Sequence, residues 1–377
     1  MTIGFDGKRA ANNLTGLGNY SRSLILHLAQ FFPQNQYFVY TQKIKNTDQI
    51  NSFFAAKRVN CKRPLRKDLF WRTFGIKKQL ISDRIDLFHG LSHEIPVNLR
   101  VEQIPAVVTI HDLIFLKFPQ YYSTIDRFIY KMKCKHACAQ ADRIVAISEC
   151  TKRDIVDFFA TDPNKIQVLY QSCDDSFKIV VPEEKKQLVR QKFELPEKYL
   201  LNVGTIETRK NLLTLIQALP HIDETYQLVV VGKHTSYFKE VVREMEVLGL
   251  QDRVIFLKNV SFDELPAIYQ MATVFVYPSL YEGFGIPLIE ALHSAVPVVA
   301  ATGSCLEEAG GPQSSYIAPK DYMGFADAIN RLLQSSTEEI NRLVAEGLTY
   351  VQRFDNQKLS NELMALYQHV LSTYPKN

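Results

Sequence analysis

Short apolar runs alternate with segments of helical periodicity along the whole chain. In the first half the runs predict strands near residues 2–5, 36–40, 86–89, 106–110, 143–147 and 166–169, with a helix near 19–32. In the second half they predict strands near residues 199–203, 227–231, 254–257, 274–277 and 296–300, with helices near 212–219, 237–248 and 263–271. Strands without a polar face that alternate with helices are typical of parallel sheets covered on both faces. The pattern therefore predicts an α/β protein with doubly wound parallel sheets.

One polar interruption divides this alternation. The acidic stretch Ser172–Glu184, which contains Pro182, is followed by a new α/β series. A chain of 377 residues suits two domains of about 150 residues each. We therefore expect one domain over 1–175, a second beginning at 176, and a ligand cleft between them, beyond the carboxyl ends of the strands.

The composition narrows the class of protein. Apolar residues make up 46% of the chain and charged residues 22%, which excludes a disordered, collagenous or disulfide-stapled chain. Asp6, Lys8 and Arg9 stand where a signal peptide needs an apolar run, and no apolar stretch approaches the roughly 20 residues that span a bilayer. Cys134 and Cys138 are spaced like metal ligands but lack a third ligand nearby, so buried thiols are the favoured interpretation. These features predict a soluble, cytoplasmic protein.

The charge is distributed unevenly. Residues 1–175 contain 25 Lys and Arg against 16 Asp and Glu, whereas the remainder contains 19 against 24. Within Phe53–Leu80 a single acid, Asp68, faces a group of cations interleaved with aromatic residues: Lys57, Arg58, Lys62, Arg63, Arg66, Lys67, Arg72, Lys77 and Lys78. This stretch is either a solvated segment with core aromatics or a peripheral patch on an anionic membrane, anchored by Trp71 or Phe70. Nucleic-acid binding is disfavoured because no recognition motif accompanies the charges.

The most informative motif spans residues 277–290. A predicted strand is followed by a glycine-containing loop with Glu282, and then by a helix that has Pro287 near its start and Glu290 in its first turn. Backbone N–H groups around Phe284, with the helix N-terminus behind them, would bind a polyanion. Carboxylates beside a polyanion repel it unless they bind hydroxyls, which indicates a diphosphate between a sugar and a ribose. The alternative is a pair of glutamates without a ligand, one of them offsetting the helix dipole.

The pair Glu282-x7-Glu290, within Glu-Gly-Phe-Gly-Ile-Pro-Leu-Ile-Glu-Ala, resembles the signature of the family-4 retaining glycosyltransferases. These enzymes have the GT-B fold, in which two Rossmann-like domains face each other across a cleft. Further stretches match the family in the family's order: residues 16–20, 108–112, 202–212, 230–233 and 362–371. The resemblance therefore covers nearly the whole chain. It implies that the second domain, 176–355, binds a nucleotide sugar, and that a last helix within 356–377 packs back on the acceptor-side first domain.

The resemblance also assigns roles to individual residues. Arg209 and Lys210 would neutralise the diphosphate as the anomeric bond breaks, so that no metal and no other cofactor is required. Glu290 would bind both ribose hydroxyls, Glu282 would contact hydroxyls of the transferred sugar, and His111 would face the sugar from the first domain. Donor-binding backbone is implied at Gly16, Gly18, Gly204, Gly283, Phe284 and Gly285. Ala295 stands where the family usually has glycine, which suggests slightly looser helix–strand packing.

These roles predict a retaining hexosyltransferase of surface-polysaccharide synthesis. The donor would be a GDP- or UDP-sugar, with GDP-mannose the first choice, and the acceptor a glycan or lipid-linked glycan at the inner face of the membrane. Two alternatives stay open, namely a GT-B epimerase acting on a UDP-sugar and a catalytically inactive GT-B scaffold. Retention is compatible with a covalent intermediate on a carboxylate or with front-face substitution, and the sequence does not choose between them.

Overall fold

The computed structural model of the protein describes residues 1–64 and 70–375. It divides into two compact units, unit 1 (Met1–Gln171 with Asp355–Asn377) and unit 2 (Ser172–Phe354). The sequence places the corresponding boundaries after residues 175 and 355, inside or next to the same polar connections. Arg66 and Lys67 of the predicted basic stretch lie outside the described residues.

Unit 1 contains a seven-stranded parallel sheet among its described residues. In chain order the strands are β1 (Thr2–Asp6), β2 (Gln36–Tyr40), β3 (Val59–Lys62), β4 (Leu87–Gly90), β5 (Ala106–Ile110), β6 (Arg143–Ala146) and β7 (Ile166–Val168). The helices are α1 (Lys8–Asn12), α2 (Gly16–Phe31), α3 (Asp48–Ala55), α4 (Ile76–Ser82), α5 (Ile114–Lys117), α6 (Thr124–Gln140) and α7 (Glu149–Phe159). The strand order β3-β2-β1-β4-β5-β6-β7 is that of a doubly wound sheet, as the alternation predicts.

The apolar runs of unit 1 are buried on both faces of the sheet. Val107 and Val108 follow each other in β5 and belong to different core clusters, and Ile144 and Val145 of β6 are divided in the same way. Successive side chains of a strand point to opposite faces, so each cluster covers one face of the sheet. Burial on both faces explains why these strands are continuous apolar runs.

Unit 2 contains a second parallel sheet, with six strands among its described residues. The strands are β8 (Tyr199–Val203), β9 (Gln227–Val231), β10 (Val254–Leu257), β11 (Val274–Tyr277), β12 (Val298–Ala301) and β13 (Ser315–Ile317). The helices are α8 (Glu183–Phe193), α9 (Leu212–Ala218), α10 (Phe238–Leu248), α11 (Leu265–Gln270), α12 (Ile286–His293), α13 (Leu306–Gly310), α14 (Tyr322–Gln334) and α15 (Thr337–Val351). The order is β10-β9-β8-β11-β12-β13, so the second doubly wound sheet is also confirmed.

The last helix, α16 (Asn356–Thr373), packs on unit 1, as the family resemblance implies. Leu363, Leu366 and Tyr367 of this helix join the core cluster that contains Leu28 of α2. The Tyr367 hydroxyl also lies 2.6 Å from Nδ1 of the buried His89 at the centre of the sheet. The helix is thus attached by apolar packing and by a buried polar contact.

The strands that the sequence pattern misses are β3 and β13, each at an edge of its sheet. Edge strands are partly exposed, and the sequences Val-Asn-Cys-Lys and Ser-Tyr-Ile lack the apolar run that marks the central strands. Short, partly polar segments of this kind become strands because a neighbouring strand offers them hydrogen bonds.

The backbone at the end of α12 explains why glycine would suit position 295, and the explanation differs from the expected loose packing. The N–H of Val296 donates to the carbonyl of Ala291 (3.0 Å), and that of Ala295 donates to Leu292 (3.1 Å). These two bonds form a Schellman motif, whose C′ residue takes a left-handed conformation. Ala295 indeed has φ of 60°. Glycine suits this position because of its backbone angle, and the expectation of looser packing was wrong.

The cysteine prediction is confirmed for the pair on α6, where Cys134 and Cys138 are both buried. Among residues 1–64 and 70–375, no group of three or more His, Cys, Asp and Glu side chains is arranged to hold a metal ion. Within the same residues, no helix is sufficiently long and apolar to cross a bilayer.

Candidate functional site

The predicted donor residues of unit 2 come together at the switch point of its sheet. β8 lies between β9 and β11, so the loops after β8 and β11 leave the sheet toward opposite sides at neighbouring positions. Ligands of doubly wound sheets bind beside such a point, at the carboxyl ends of the strands. The loop after β8 carries Arg209 and Lys210, and the loop after β11 carries Glu282.

Hydrogen bonds join the two loops. The carbonyl of Arg209 accepts from the N–H of Leu280 (2.8 Å), and the carbonyl of Tyr281 accepts from Nη1 of Arg209 (2.7 Å). Asn211, at φ of 57°, donates from its side chain to the carbonyls of Pro278 (2.9 Å) and Pro319 (2.6 Å). The cations are therefore fixed relative to the glutamate loop by backbone bonds as well as by charge.

Glu282 lies at the centre of this network and is 9% exposed. Its Oε1 is 2.6 Å from Nζ of Lys210 and accepts from the Ser279 hydroxyl at 2.5 Å, while its Oε2 is 2.8 Å from Nη1 of Arg209. Burial alone would raise the pKa of this carboxyl, but Lys210 and Arg209 lower it to about 2. Both oxygens of an ionised Glu282 are thus occupied by neighbouring groups of unit 2.

The two cations differ in their surroundings. Burial opposes the charge of Arg209, but Glu282 and Glu207 raise its pKa above the usual value, and its Nη2 lies 2.6 Å from Oε1 of Glu207. Burial instead lowers the pKa of Lys210, although Glu282 acts against this shift. The Lys210 ammonium also donates to the Tyr277 hydroxyl at 2.5 Å. An arginine fork and a lysine point charge therefore stand side by side.

Glu290 has a different environment from Glu282. It is the fifth residue of α12 and lies beyond the first turn, which corrects the sequence prediction. Burial raises the pKa of its carboxyl to about 7, while the Tyr269 hydroxyl, which donates to Oε2 at 2.9 Å, lowers it. The two glutamates of the motif therefore have pKa values pushed in opposite directions, a common feature of functional sites.

Two glycines of unit 2 lie where a side chain would not fit. Gly285 caps α12 at φ of 135°, and a Cβ there would lie 2.9 Å from Leu306. Gly232 is closer still, since a Cβ would lie 1.8 Å from the carbonyl oxygen of Gly204. Between Gly283 and Gly285, the ring of Phe284 is 3% exposed and packs against Phe354, so Phe284 can face a ligand only through its backbone.

The predicted glycine loop of unit 1 is a helix start. Gly16 and Gly18 both lie in the first turn of α2. A Cβ on Gly18 would lie 1.9 Å from the carbonyl oxygen of Asn13, which Arg22 also binds at 2.7 Å, whereas a Cβ on Gly16 would meet open space. The close approach of Asn13 thus requires glycine at position 18, and donor binding by this backbone stays a prediction.

His111 already has a partner at each ring nitrogen. Nε2 lies 2.8 Å from the carbonyl oxygen of Leu91 and must donate to it, while Nδ1 accepts from the Gln171 amide at 3.1 Å. Burial, followed by the nearby His93, lowers the pKa of His111 to about 3. Both ring nitrogens of this neutral imidazole are hydrogen-bonded within unit 1. His111 can therefore form a hydrogen bond with a sugar hydroxyl through a ring nitrogen only after one of these bonds breaks.

Sequence reasoning missed the residues that surround the two glutamates. Tyr277 and Ser279 bind Glu282, Tyr269 binds Glu290, and Glu207 binds Arg209. Three of these four residues lie on the same loops or strand ends as the predicted residues, so their place in the sequence could have identified them as members of the site. Tyr269 ends up beside Glu290 only because α11 packs against α12.

Comparisons with known proteins define the class. The family described as Glycosyltransferase Family 4 matches residues 14–177, and the family described as Glycosyl transferases group 1 matches residues 183–348. The chain belongs to the glycosyltransferases that combine these two domains, as its motifs predict.

Among similar proteins, the O-antigen chain mannosyltransferase B of Escherichia coli is 28% identical, over 94% of this chain and 96% of its own. The O-antigen chain mannosyltransferase RfbU of Salmonella typhimurium is 32% identical, over 67% of this chain and 66% of its own.

Solved structures agree on the fold. A glycosyltransferase from Rickettsia africae ESF-5 superposes with a TM-score of 0.77 at 16% identity, covering 99% of both chains. WaaG, a glycosyltransferase involved in lipopolysaccharide biosynthesis, has a TM-score of 0.70 at 17% identity, covering 97% of this chain and 99% of its own. The prediction of a GT-B fold is confirmed.

Proposed function

We propose that this glycosyltransferase is a retaining enzyme that transfers a hexose, mannose in the first instance, from a nucleoside diphosphate sugar to a glycan or lipid-linked glycan acceptor. The main support is the arrangement of Arg209 and Lys210 beside the sheet's switch point, next to the glycine-capped start of α12. Two similar proteins carry names as O-antigen mannosyltransferases, which supports mannose and a surface-polysaccharide acceptor.

The cations would act on the leaving group. Breaking the anomeric bond adds negative charge to the diphosphate, and fixed positive groups there stabilise the transition state more than the ground state. Arg209 and Lys210 are held in place by the loop hydrogen bonds and by Glu282, so little reorganisation is required. Two such cations and the backbone N–H groups at α12 would supply the charge that a divalent ion provides in other transferases.

Glu282 is a poor candidate for the nucleophile of a double displacement. A carboxylate whose charge is shared with cations is a weak nucleophile, and Glu282 is paired with Lys210 and Arg209. Its contacts suit a residue that positions the cations and contacts sugar hydroxyls. We therefore propose front-face substitution, in which the leaving phosphate accepts the acceptor's proton.

The experiment is a panel of nucleotide sugars that includes GDP-mannose, UDP-glucose, UDP-galactose and UDP-N-acetylhexosamines. Hydrolysis and thermal stabilisation are measured together, since a ligand at about 100 times its Kd stabilises a protein by about 2.7 kcal/mol. GDP-mannose is expected to give both signals, and hydrolysis is expected to survive excess EDTA. Turnover that stops with EDTA and returns with Mg²⁺ would disprove metal independence.

The same panel tests the other readings of the fold. Stabilisation without hydrolysis or transfer to any glycan acceptor would indicate an inactive scaffold. Conversion of a UDP-sugar to its epimer would indicate an epimerase. For an active donor, the one-bond C1–H1 coupling of the glycoside formed on an acceptor reports the anomeric configuration, and an inverted glycoside would refute retention.

A further inference from the structure

Helix α6 has two apolar faces. Cys134, Ala137 and Cys138 are buried against the rest of unit 1. On the other side a stripe of apolar side chains is exposed by 73%, 65%, 41% and 56%: Ile125, Phe128, Ile129 and Met132. Their spacing of i, i+3, i+4 and i+7 places them in one row along the helix. Single exposed apolar residues are ordinary, but a continuous row of large ones indicates an interaction surface.

Cations border this row. Lys131 and Lys135 lie on the same helix, and neither forms an ion pair with any residue that the structure describes. At 100° per residue, Lys131 and Lys135 lie along one edge of the exposed row. The acid of the helix, Asp126, accepts from Ser123 within the N-cap. An apolar row with cations along one edge complements an anionic lipid surface in both hydrophobicity and charge.

A neighbouring segment adds exposed aromatic surface. Glu94 pairs with Lys133 of α6 at 3.0 Å and with Arg72 at 3.2 Å, so the π-helical turn Trp71–Gly75 adjoins α6. Phe70 and Phe74, on either side of Arg72, are 65% and 57% exposed. Exposed aromatic side chains therefore lie on a turn that is linked to α6 through Glu94.

The same contacts limit what the basic stretch 53–80 can contribute. Trp71 is 5% exposed, so its expected role as an interfacial anchor was wrong. Arg72 pairs with Asp6 at 2.6 Å, Lys62 with Asp83 at 2.8 Å and Lys77 with Glu102 at 3.0 Å. Charges paired within the protein are less able to attract lipid.

From these observations we propose that the outer face of α6, defined by Ile125, Phe128, Ile129 and Met132, seats the protein on anionic phospholipid. Lys131 and Lys135 would lie at the headgroups, and Phe74 would extend the contact. The biological role of this contact rests on the proposed function, because a lipid-linked acceptor would be presented at the membrane surface.

Vesicle co-sedimentation tests the contact. Vesicles of phosphatidylcholine with phosphatidylglycerol are compared with phosphatidylcholine alone, at about 0.05 M and about 0.5 M salt, where screening differs strongly. The protein should bind the anionic vesicles at low salt and be released at high salt. The double variant Phe128→Ser/Ile129→Ser should bind at least about tenfold less, because two apolar side chains that would insert into the bilayer are lost. The charge variant Lys131→Glu/Lys135→Glu should lose the preference for anionic lipid.

The matched control is Leu188→Ser/Val247→Ser, which removes two exposed apolar residues of unit 2 (61% and 73% exposed) and should bind like the parent protein. Parent protein that stays in the supernatant, or a Phe128→Ser/Ile129→Ser variant that sediments as well as the parent, would overturn the proposal. The proposal would also be overturned if the parent protein bound no lipid but formed a concentration-dependent dimer that the same variant abolished. The face would then bind a second copy of the chain. Donor hydrolysis without vesicles is measured for every variant, so failure of lipid binding is distinguishable from failure of the proposed activity.

Discussion

Lys210 and Glu282 are joined by an ion pair of 2.6 Å between Nζ and Oε1, within a site that is largely closed to solvent. Arg209 binds the other oxygen of the same carboxylate at 2.8 Å. One carboxylate thus holds two cations that would otherwise repel each other. A neutral residue in place of Glu282 therefore changes the charge of the whole cluster and also removes both ion pairs.

Glu282→Ala is expected to destabilise unit 2 by about 3–5 kcal/mol, because it leaves two buried cations without their shared partner. Since the folded-state pKa of Glu282 is about 2 and the ordinary value is 4.5, its contribution is complete above pH 4.5 and is lost as the pH falls toward 2. Urea unfolding at pH 7 measures the loss. Glu246→Ala, at an exposed position of α10, is the control, and equal stability of the two variants would contradict the prediction.

Glu290→Ala is expected to weaken donor binding by about 2–4 kcal/mol while the protein stays folded, because two ribose hydroxyls would lose a charged acceptor. Calorimetric titration with the donor found in the panel measures the change. Glu290→Gln should recover part of the affinity, since an amide oxygen still accepts a hydrogen bond. Unchanged affinity for Glu290→Ala would refute the ribose assignment.

Donor affinity is expected to rise with pH. Because the pKa of Glu290 is raised from 4.5 to about 7, the carboxylate that would accept ribose hydroxyls is depleted below neutrality, and affinity should fall about tenfold from pH 8 to pH 6. Glu290→Gln should remove this dependence. Tyr269→Phe should move its midpoint upward, because the tyrosine hydroxyl lowers the pKa. A flat profile in the parent protein would contradict the assignment.

The same shift predicts a stability effect of opposite sign to that of Glu282. Between pH 4.5 and about 7 the folded state holds a proton on Glu290 that the unfolded state has released. Stability therefore falls as the pH rises through this window. Comparing the parent protein with Glu290→Gln across the window isolates the contribution, and parallel curves would show that it is absent.

Ala295→Gly is expected to stabilise the protein by about 1 kcal/mol, because alanine at a left-handed C′ position carries a strain that glycine avoids. Ala345→Gly, on an exposed face in the interior of α15, is the same chemical change and should destabilise by about 1 kcal/mol. Urea unfolding of the two variants should give shifts of opposite sign. Destabilisation by both would mean that Ala295 is unstrained.

Tyr367→Phe is expected to destabilise unit 1 by about 1–3 kcal/mol, because Nδ1 of the buried His89 loses its 2.6 Å partner. The comparison variant is Tyr374→Phe, at a half-buried position just after α16, which should cost less. Thermal unfolding and limited proteolysis of α16 report the change. An unaltered melting temperature for Tyr367→Phe would show that apolar packing alone holds the helix.

The central strands and the loops of the site are determined by the sequence itself. Strands such as 199–203 and 274–277 are buried on both faces, so their apolar runs are continuous and their ends are sharp. Glu282, Arg209 and Lys210 lie on the loops after those strands, and glycine is required at Gly18 and Gly232, where another backbone carbonyl lies too close for a side chain. These requirements are local, so each of them can be recognised in a short stretch of the sequence.

Other features are decided only by the tertiary structure, because they depend on contacts between residues that are far apart in the sequence. The bonds of His111 to Leu91 and Gln171 come from separate loops, and the opposite pKa shifts of Glu282 and Glu290 arise from which side chains surround each carboxylate. The edge strands β3 and β13 form because they pair with the neighbouring strands β2 and β12 through backbone hydrogen bonds. The outer row of α6 is apolar in the sequence in any case, but only the packing of Cys134 and Cys138 shows that this row faces away from the core.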